Sequence, residues 1–159
     1  MLQPGSPAPR VGGVLSTGER VDVGEPAGRP QVLFFFPRVF TPGCTRESCS
    51  FRDATSDRGA LRDTTVYGIS RDAPERLAEF RNANQLPFET VSDPFGEIAR
   101  AYKALHLGGL LPLVRRVTYV MDSEGVVRGA FADELHPQRH SAWAAEQVRR
   151  LSAGPSTPS

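Results

Sequence analysis

The feature of this sequence that most restricts its fold is a run of six residues, 31–36, that reads QVLFFF. A strand formed by this run would present apolar side chains on both of its faces, because successive side chains of a strand point to opposite sides. Such a strand is typical of the centre of a sheet that is covered on both faces. Pro37 follows and ends the strand, since proline has no N–H to donate to a sheet ladder.

Strand-like and helix-like segments alternate along the rest of the chain. The segments expected as strands are the hairpin at residues 13–23 and residues 65–70, 88–91, 117–121 and 126–131. Helices are expected from Pro42, from Pro74 to Asn82 with Asp72 as the N-cap, from Asp93 and Pro94 onward, and over residues 140–151. The order β-β-β-α-β-α-β-α-β-β-α resembles the thioredoxin-like fold, an α/β fold with a central mixed sheet flanked by helices, here with an N-terminal β-hairpin.

Length and composition indicate one domain. The chain has 159 residues, of which 39% are hydrophobic, enough for one core. We expect a single domain over residues 1–152, with irregular structure in the Pro-rich first ten residues, and a flexible Pro/Ser-rich tail over residues 153–159.

Charge and hydropathy exclude several classes of partner. The formal net charge is +1, so no global field attracts nucleic acid or anionic lipid. The opening MLQPGSPAPR lacks the apolar segment of a secretory signal. A membrane-spanning helix needs about 20 apolar residues, and every apolar run in the sequence is much shorter. We therefore expect a cytoplasmic protein with no nucleic-acid or membrane partner.

The chain has two cysteines, Cys44 and Cys49, close together in sequence. In a reducing compartment such a pair is more typical of catalysis or metal binding than of a structural disulfide, although two inert buried thiols are the alternative. Cys44 would lie in the first turn of the helix that starts near Pro42, where unpaired N–H groups and the helix dipole favour a thiolate. Because the thiolate is the nucleophile, this position makes Cys44 a candidate for chemistry.

The spacing of the two cysteines has a mechanical consequence. On an intact helix their Cα atoms would be roughly 8.7 Å apart, whereas a disulfide needs Cα atoms within about 7 Å. Either the two cysteines never bond, or the first turns of the helix must unwind. A redox cycle at this pair would therefore also be a cycle of local order and disorder.

Residues 37–44 contain the pattern P-x-x-x-T-x-x-C, the active-site signature of the peroxiredoxins. Residues 41–53, TPGCTRESCSFRD, closely resemble the bacterioferritin-comigratory, or Q-type, subfamily. The similarity continues in LPF at residues 86–88, in Ser92-Asp93, in AY at residues 101–102, in RVTYVMD at residues 116–122 and at His140. It covers roughly residues 5–151, and its signature is highly specific.

The resemblance implies a role for each residue that matches the family pattern. Cys44 matches the peroxidatic cysteine, and Cys49 matches the resolving cysteine that closes an intramolecular disulfide. The other implied site residues are Thr41, which bonds the peroxide; Arg116, which stabilises the thiolate and the developing charge; Glu47, which holds that arginine; and Pro37, which shields the thiolate. Gly43 has no side chain and would let the backbone approach a bound substrate closely.

Several of these residues have simpler interpretations. Thr41 could be a plain N-cap, and Glu47 could be an exposed acid in a first helical turn. Arg115 and Arg116 are adjacent, so on a strand only one can face the site, and the spacing to the residues that follow favours Arg116. Arg52 and Asp53 match subfamily positions, where a structural ion pair and a catalytic role are equally open. Further minor expectations are a structural His140 and an apolar collar of Phe40, Leu107 and Leu110 that would suit organic peroxides.

The resemblance implies a monomeric thiol peroxidase that reduces hydrogen peroxide and organic hydroperoxides, is recycled by a thioredoxin-like dithiol and needs no metal, flavin or haem. A thioredoxin-fold disulfide oxidoreductase is a second hypothesis, but such enzymes carry C-x-x-C rather than C-x-x-x-x-C. A copper-binding module would need a closer cysteine pair. A peroxide-driven redox sensor would share every residue of the peroxidase and stays open.

Overall fold

The computed structural model describes residues 1–56, 59–106 and 113–153. Its strands and helices follow the order that the sequence predicts. They are β1 (Val11–Leu15), β2 (Arg20–Val23), β3 (Gln31–Phe35), α1 (Pro42–Ala54), β4 (Thr65–Ser70), α2 (Pro74–Asn84), β5 (Glu89–Ser92), α3 (Glu97–Ala101), β6 (Val117–Met121), β7 (Val127–Ala132) and α4 (Arg139–Ala153). None of the helices in this part of the chain has the length and apolar character needed to span a bilayer.

The seven strands form one mixed sheet in the order β2-β1-β5-β4-β3-β6-β7. Strands β3, β4 and β5 are parallel and are joined by helical crossovers, whereas β6 and β7 form an antiparallel hairpin. The apolar strand β3 lies between β4 and β6, and all five of its residues are buried. The prediction of a central strand covered on both faces is therefore confirmed.

Alternation along β3 divides the core into two layers. Leu33 and Phe35 point to the face that is covered by α3 and the N-terminal segment. Val32 and Phe34 point to the opposite face, which is covered by α1, α2 and α4. On that face the Phe34 ring stacks on Phe51 of α1 at 4.2 Å between centroids. The apolar run thus fixes α1 against the sheet.

The first ten residues are irregular, as expected, but they are hydrogen-bonded across the sheet. The Leu2 N–H donates to the Tyr119 hydroxyl at 3.0 Å, and the Gly5 N–H donates to the Val127 carbonyl at 2.7 Å. Pro7 forms an isolated bridge with Val126. Because β1 lies next to the opposite edge of the sheet, this segment connects the β7 side to the β1–β2 side.

Two local expectations need correction. Asp72 does not cap α2, because its carboxylate accepts hydrogen bonds from the Val39 N–H at 3.0 Å and from the Ser70 hydroxyl at 2.7 Å, and Ala73 occupies the N-cap position. The helix expected from Asp93 begins only at Glu97; the Asp93 carboxylate instead accepts the Ile98 and Ala99 N–H groups. The remaining differences are shifts of one or two residues in the ends of α2, α4, β1, β3, β5 and β7.

Candidate active site

Cys44 lies in the first turn of α1, directly after the loop that follows β3. Pro42 occupies the start of the helix, where its missing N–H costs no hydrogen bond. The Thr41 side chain makes no capping hydrogen bond, so it leaves the N–H groups of the first turn available to a bound oxygen. The Cys44 thiol is 1% exposed and belongs to the apolar layer between α1 and the sheet.

Strand register brings Arg116 to this thiol. Phe35 at the end of β3 pairs with Val117 at the start of β6. Arg116 therefore lies at the end of these two central strands, next to the start of α1. Thr118 pairs with Phe34 and therefore shares the face that α1 covers; Arg116, two residues earlier, points to the same face. Arg116 Nη1 lies 3.4 Å from Cys44 Sγ, and the side chain is buried.

Glu47, one turn after Cys44 on α1, holds the same guanidinium. Its Oε1 accepts a hydrogen bond from Arg116 Nη1 at 2.7 Å, and the side chain is fully buried. Burial raises the pKa of Glu47 from 4.5 to about 8, and Arg116 opposes that shift. Burial disfavours the Arg116 cation, but Glu47 and Cys44 raise the pKa of Arg116 above its usual value overall. The alternative of an exposed Glu47 is wrong.

The backbone before β6 is fixed by a second acid. The Arg116 N–H donates to Glu134 Oε2 at 2.8 Å, and His106 Nε2 lies 4.0 Å from the same oxygen. Glu134 belongs to the loop after β7, so the β6–β7 hairpin supplies both the arginine and the group that anchors its main chain. Nothing in the sequence pattern predicts this contact, because it depends on the path of the loop.

His140, in the first turn of α4, completes the buried polar cluster. Its Nδ1 lies 2.7 Å from the Thr118 hydroxyl and 3.6 Å from Glu47 Oε2, and its Nε2 lies 2.9 Å from the Asp133 carbonyl oxygen. Burial lowers the pKa of His140 below 6.5. A histidine at a helix start is expected to be structural. The contact of His140 with Glu47 joins residues 93 positions apart, and no local sequence pattern reveals it.

Thr41 and Pro37 lie in the loop before α1 and differ from expectation in their orientation. The Thr41 hydroxyl donates to the Arg38 carbonyl at 3.0 Å, so its hydrogen is directed at the loop rather than at the Cys44 sulfur. Pro37 is exposed on the surface beside the site. Thr41 does occupy the N-cap position of α1, as the alternative interpretation has it, but its side chain makes no capping hydrogen bond. The roles of both residues toward a substrate stay predictions.

The loop between β3 and α1 is held by residues of α2 and of the segment between β4 and α2. The Asp72 carboxylate receives the Val39 N–H, as described above, and Phe40 adopts a left-handed backbone conformation with φ of 62°. The Phe40 ring packs edge-on against Phe80 at 5.3 Å, and the Arg76 guanidinium lies 4.5 Å above it. Phe40 remains 41% exposed, which suits the expected collar; Leu107 and Leu110 lie outside the described residues.

Gly43 permits the close contact between Arg116 and α1. A Cβ atom at this position would lie 3.2 Å from Arg116 Nη2 and 3.6 Å from Pro137 Cγ. The first of these separations is tighter than ordinary van der Waals contact, so the guanidinium would have to move. The absence of a side chain at Gly43 therefore matters to the arginine as well as to the expected approach of a substrate.

Cys49 lies on the same unbroken helix, half-buried, and both thiols are free. Its Sγ contacts Asn84 Oδ1 at 3.6 Å, at the end of α2. Arg52 Nη1, one turn further along α1, donates to the Asn84 carbonyl at 2.9 Å. The pairing of Arg52 with Asp53 is present at 3.2 Å and is largely exposed. The end of α2 thus holds the part of α1 that carries Cys49.

Within the described ranges, no group of three or more His, Cys, Asp or Glu side chains is placed to hold a metal ion. What the cluster offers instead is a buried sulfur beside a fixed cation and the N-terminal N–H groups of a helix. This arrangement can stabilise negative charge that develops on an oxygen near the sulfur.

Comparisons with known proteins agree with this chemistry. The sequence profile of the AhpC/TSA family matches residues 4–130. A Mycobacterium tuberculosis protein assigned to the peroxiredoxins is 37% identical over 130 residues, which cover 79% of this chain and 82% of that protein. Chloroplastic peroxiredoxin Q of Oryza sativa subsp. japonica is 34% identical over 137 residues, covering 86% of this chain and 62% of its own length.

Among solved structures, peroxidoxin BcpB from Mycobacterium tuberculosis has a similar fold, with a TM-score of 0.84 and 27% identity. The alignment covers 95% of this chain and 99% of that chain. The similarity confirms the thioredoxin-like fold that the order of strands and helices predicts. The range that the family profile matches, residues 4–130, contains Cys44, Cys49 and Arg116.

Proposed function

The chain belongs to the AhpC/TSA family and is a thiol peroxidase of the peroxiredoxin type, and we propose that it reduces hydroperoxides through Cys44 and closes a disulfide with Cys49. The observation that carries the proposal is the position of Arg116 Nη1, 3.4 Å from the buried Cys44 Sγ at the start of α1. The guanidinium and the N–H groups of Gly43 and Cys44 would then bind both peroxide oxygens as the bond between them breaks.

In the first step the Cys44 thiolate attacks the terminal oxygen of ROOH. A sulfur–oxygen bond forms, the oxygen–oxygen bond breaks, and the alkoxide leaves as ROH after it takes up a proton. Cys44 becomes a sulfenic acid. Glu47 keeps Arg116 in place through the 2.7 Å hydrogen bond to Nη1. Thr41 would contribute a hydroxyl to the incoming peroxide, which requires its side chain to turn away from the Arg38 carbonyl.

In the second step the Cys49 sulfur attacks the Cys44 sulfenic acid, and water leaves as the disulfide forms. Both cysteines lie on one helix five positions apart, so the start of α1 must unwind before their sulfurs can meet. The contacts of Asn84 with Cys49 and Arg52 must loosen at the same time. Because both sulfurs belong to one chain, the cycle would work in a monomer.

A dithiol reductant of the thioredoxin type would then reduce the disulfide by thiol exchange, and α1 would refold. Hydrogen peroxide and organic hydroperoxides are both proposed substrates. The exposed Phe40 ring beside the entrance supports the organic class, because it offers an apolar contact to an alkyl group.

The proposal is tested by treating the reduced protein with one equivalent of hydrogen peroxide and following free thiols and intact mass. We expect rapid loss of both thiols and a mass decrease of about 2 Da, the two hydrogens lost on disulfide formation. In Cys49→Ser a dimedone-type probe should instead trap a sulfenic acid at Cys44.

Cys44→Ser is the matched control, and it should leave Cys49 reduced. If Cys44 in the wild-type protein reacts no faster than a free thiol in solution, the peroxidase proposal is wrong. If Cys44 reacts fast but the thiol of Cys49 persists, only the resolving step is wrong.

A further inference from the structure

The side chain of Ser48, on helix α1, is a buried polar group without a partner. Ser48 is 0% exposed, and its hydroxyl forms no hydrogen bond with any of the described residues. A serine inside a helix can donate to the carbonyl four residues earlier, as Ser152 of α4 does to Val148 at 3.4 Å. The Ser48 hydroxyl does not make the corresponding bond to the Cys44 carbonyl. Folding therefore removes this hydroxyl from water, and the described residues give it no hydrogen bond in return.

Ser48 belongs to the face of α1 that packs on the sheet. It lies one turn after Cys44 and about one turn before Phe51, and all three side chains are buried on that face. Cys44 and Phe51 are part of the apolar layer there, in which Phe51 stacks on Phe34. A hydroxyl without a partner in such surroundings destabilises the helix, whereas a methyl group would not.

The residues on either side of Ser48 do have polar partners on other parts of the fold. The pairs are Glu47 with Arg116, Cys49 with Asn84, and Ser50 with Ser141. Among residues 47–50, Ser48 alone lacks such a partner in the described ranges. The middle of α1 is thus held by its neighbours, and the hydroxyl of Ser48 acts against them.

Ser48 also lies inside the segment that a disulfide between the two cysteines would close. Residues 45–48 separate Cys44 from Cys49, and this segment must leave the helix before the sulfurs can meet. Unwinding would move Ser48 out of the apolar layer and let its hydroxyl bind water. The cost that burial imposes on this hydroxyl is therefore removed by the same motion that the resolving step requires.

From these observations we propose that Ser48 promotes the unwinding of α1 and thereby speeds the attack of Cys49 on oxidised Cys44. The consequence for the cycle rests on the resolving step proposed above, whereas the effect on α1 does not. In that step the Cys49 sulfur forms a bond to the Cys44 sulfur, and the oxygen of the sulfenic acid leaves as water. Faster closure leaves less time for a second peroxide to oxidise the sulfenic acid to a sulfinic acid.

Hydrogen exchange of the reduced protein tests the effect on α1 without any peroxide. The variant is Ser48→Ala, and Ser50→Ala is the matched control, because it makes the same change in helix propensity but removes a hydroxyl that has a partner. We expect amide exchange over residues 44–50 to slow by roughly tenfold in Ser48→Ala, and the free energy of unfolding to rise. Ser50→Ala should not slow it. No slowing in Ser48→Ala, or equal slowing in both variants, would overturn the proposal.

Quenched-flow alkylation after peroxide treatment tests the role in the cycle. Ser48→Ala should close the disulfide roughly tenfold more slowly and yield more sulfinic acid at high peroxide, with little change in the first reaction of Cys44. A purely structural role would raise the free energy of unfolding and leave this partition unchanged. Equal or faster closure in Ser48→Ala would overturn the role in the cycle.

Equilibration with a dithiol buffer gives an independent measure. Because Ser48 favours the unwound form, its replacement should shift the equilibrium from the disulfide toward the two thiols by roughly tenfold, which is about 30 mV for this two-electron couple. An unchanged equilibrium would overturn the proposal. A wild-type protein whose Cys44 reacts no faster than a free thiol would overturn the proposed function instead, and the effect of Ser48 on hydrogen exchange would stand.

Discussion

At the scale of single residues, Gly43 decides how closely Arg116 can approach the first turn of α1. A methyl group there would lie 3.2 Å from Nη2, closer than ordinary van der Waals contact, and 3.6 Å from Pro137 Cγ, which is an ordinary contact. The position is helical, so alanine is compatible with the backbone and even favours the helix by up to about 1 kcal/mol. Alanine at position 43 should therefore slow the reaction of Cys44 without lowering the free energy of unfolding.

We predict that Gly43→Ala slows the reaction of Cys44 with peroxide by roughly tenfold, the effect of displacing one charge-assisted contact. The free energy of unfolding should stay level or rise. Stopped-flow kinetics and urea unfolding measure the two quantities. Gly12→Ala, in β1 and remote from the site, is the matched control and should leave the rate unchanged. An unchanged rate in Gly43→Ala would contradict the prediction, because it would show that the guanidinium accommodates the methyl group without loss of its contact with Cys44.

The residue scale also shows where prediction from sequence stops. The position of Cys44 at a helix start follows from local pattern, and that of Arg116, just before β6 and in line with its inward-facing residues, follows from alternation. The burial of Glu47 and its contact with His140 do not, because they depend on how α4 lies across the sheet. The hydrogen bond from Thr41 to Arg38 and the left-handed Phe40 belong to a loop whose shape has no periodic signal.

At the scale of elements, the end of α2 holds α1 in its helical form. The Asn84 side chain contacts Cys49, and its carbonyl accepts from Arg52, so two successive turns of α1 rest on one residue. If the resolving step requires α1 to unwind, these contacts are part of its barrier. Weakening them should speed disulfide formation without touching Cys44 or Arg116.

We predict that Asn84→Ala increases the rate of disulfide formation after peroxide treatment by roughly two- to fivefold, the loss of one weak hydrogen bond. Less Cys44 should then be over-oxidised to sulfinic acid at high peroxide. Quenched-flow thiol alkylation and intact mass measure both effects. Asn82→Ala, exposed on the same helix, is the control. Equal rates in the two variants would mean that α2 does not restrain the unwinding.

The elements themselves were predictable where composition and periodicity agree. Strand β3 follows from an uninterrupted apolar run, and α1 from Pro42 and the sequence after it. Asp72 was predicted wrongly because an N-cap is a matter of side-chain direction: its carboxylate turns back to the Val39 N–H and so anchors the active-site loop. A sequence pattern identifies an aspartate as a possible cap. It does not decide whether its carboxylate accepts from the N–H groups of the following helix or from another N–H nearby.

At the scale of the whole molecule, the buried Glu47 links stability to pH. The folded protein binds the Glu47 proton more tightly than the unfolded chain, whose carboxyl titrates near 4.5. Stability therefore falls as the pH rises toward about 8, by up to about 1.4 kcal/mol per pH unit. His140 acts with the opposite sign, since its lowered pKa reduces stability only as the pH falls below 6.5.

Between pH 6.5 and about 8, Glu47 therefore contributes to the pH dependence of the free energy of unfolding, whereas His140 does not. We predict that the free energy of unfolding of wild type declines across this interval and that Glu47→Gln flattens the decline. Urea unfolding at a series of pH values, with the m-value checked for constancy, measures both slopes. Parallel slopes in the two proteins would show that Glu47 does not take up a proton on folding.

The N-terminal segment bears on the order in which the chain can fold during synthesis. Residues 2–7 find their partners at residues 119–127, on the far side of the sheet from the hairpin that follows them. A ribosome that releases the chain from its N-terminus must therefore finish β6 and the start of β7 before this segment can dock. Until then the layer over Leu33 and Phe35 stays incomplete, and the nascent chain carries exposed apolar surface for most of its elongation.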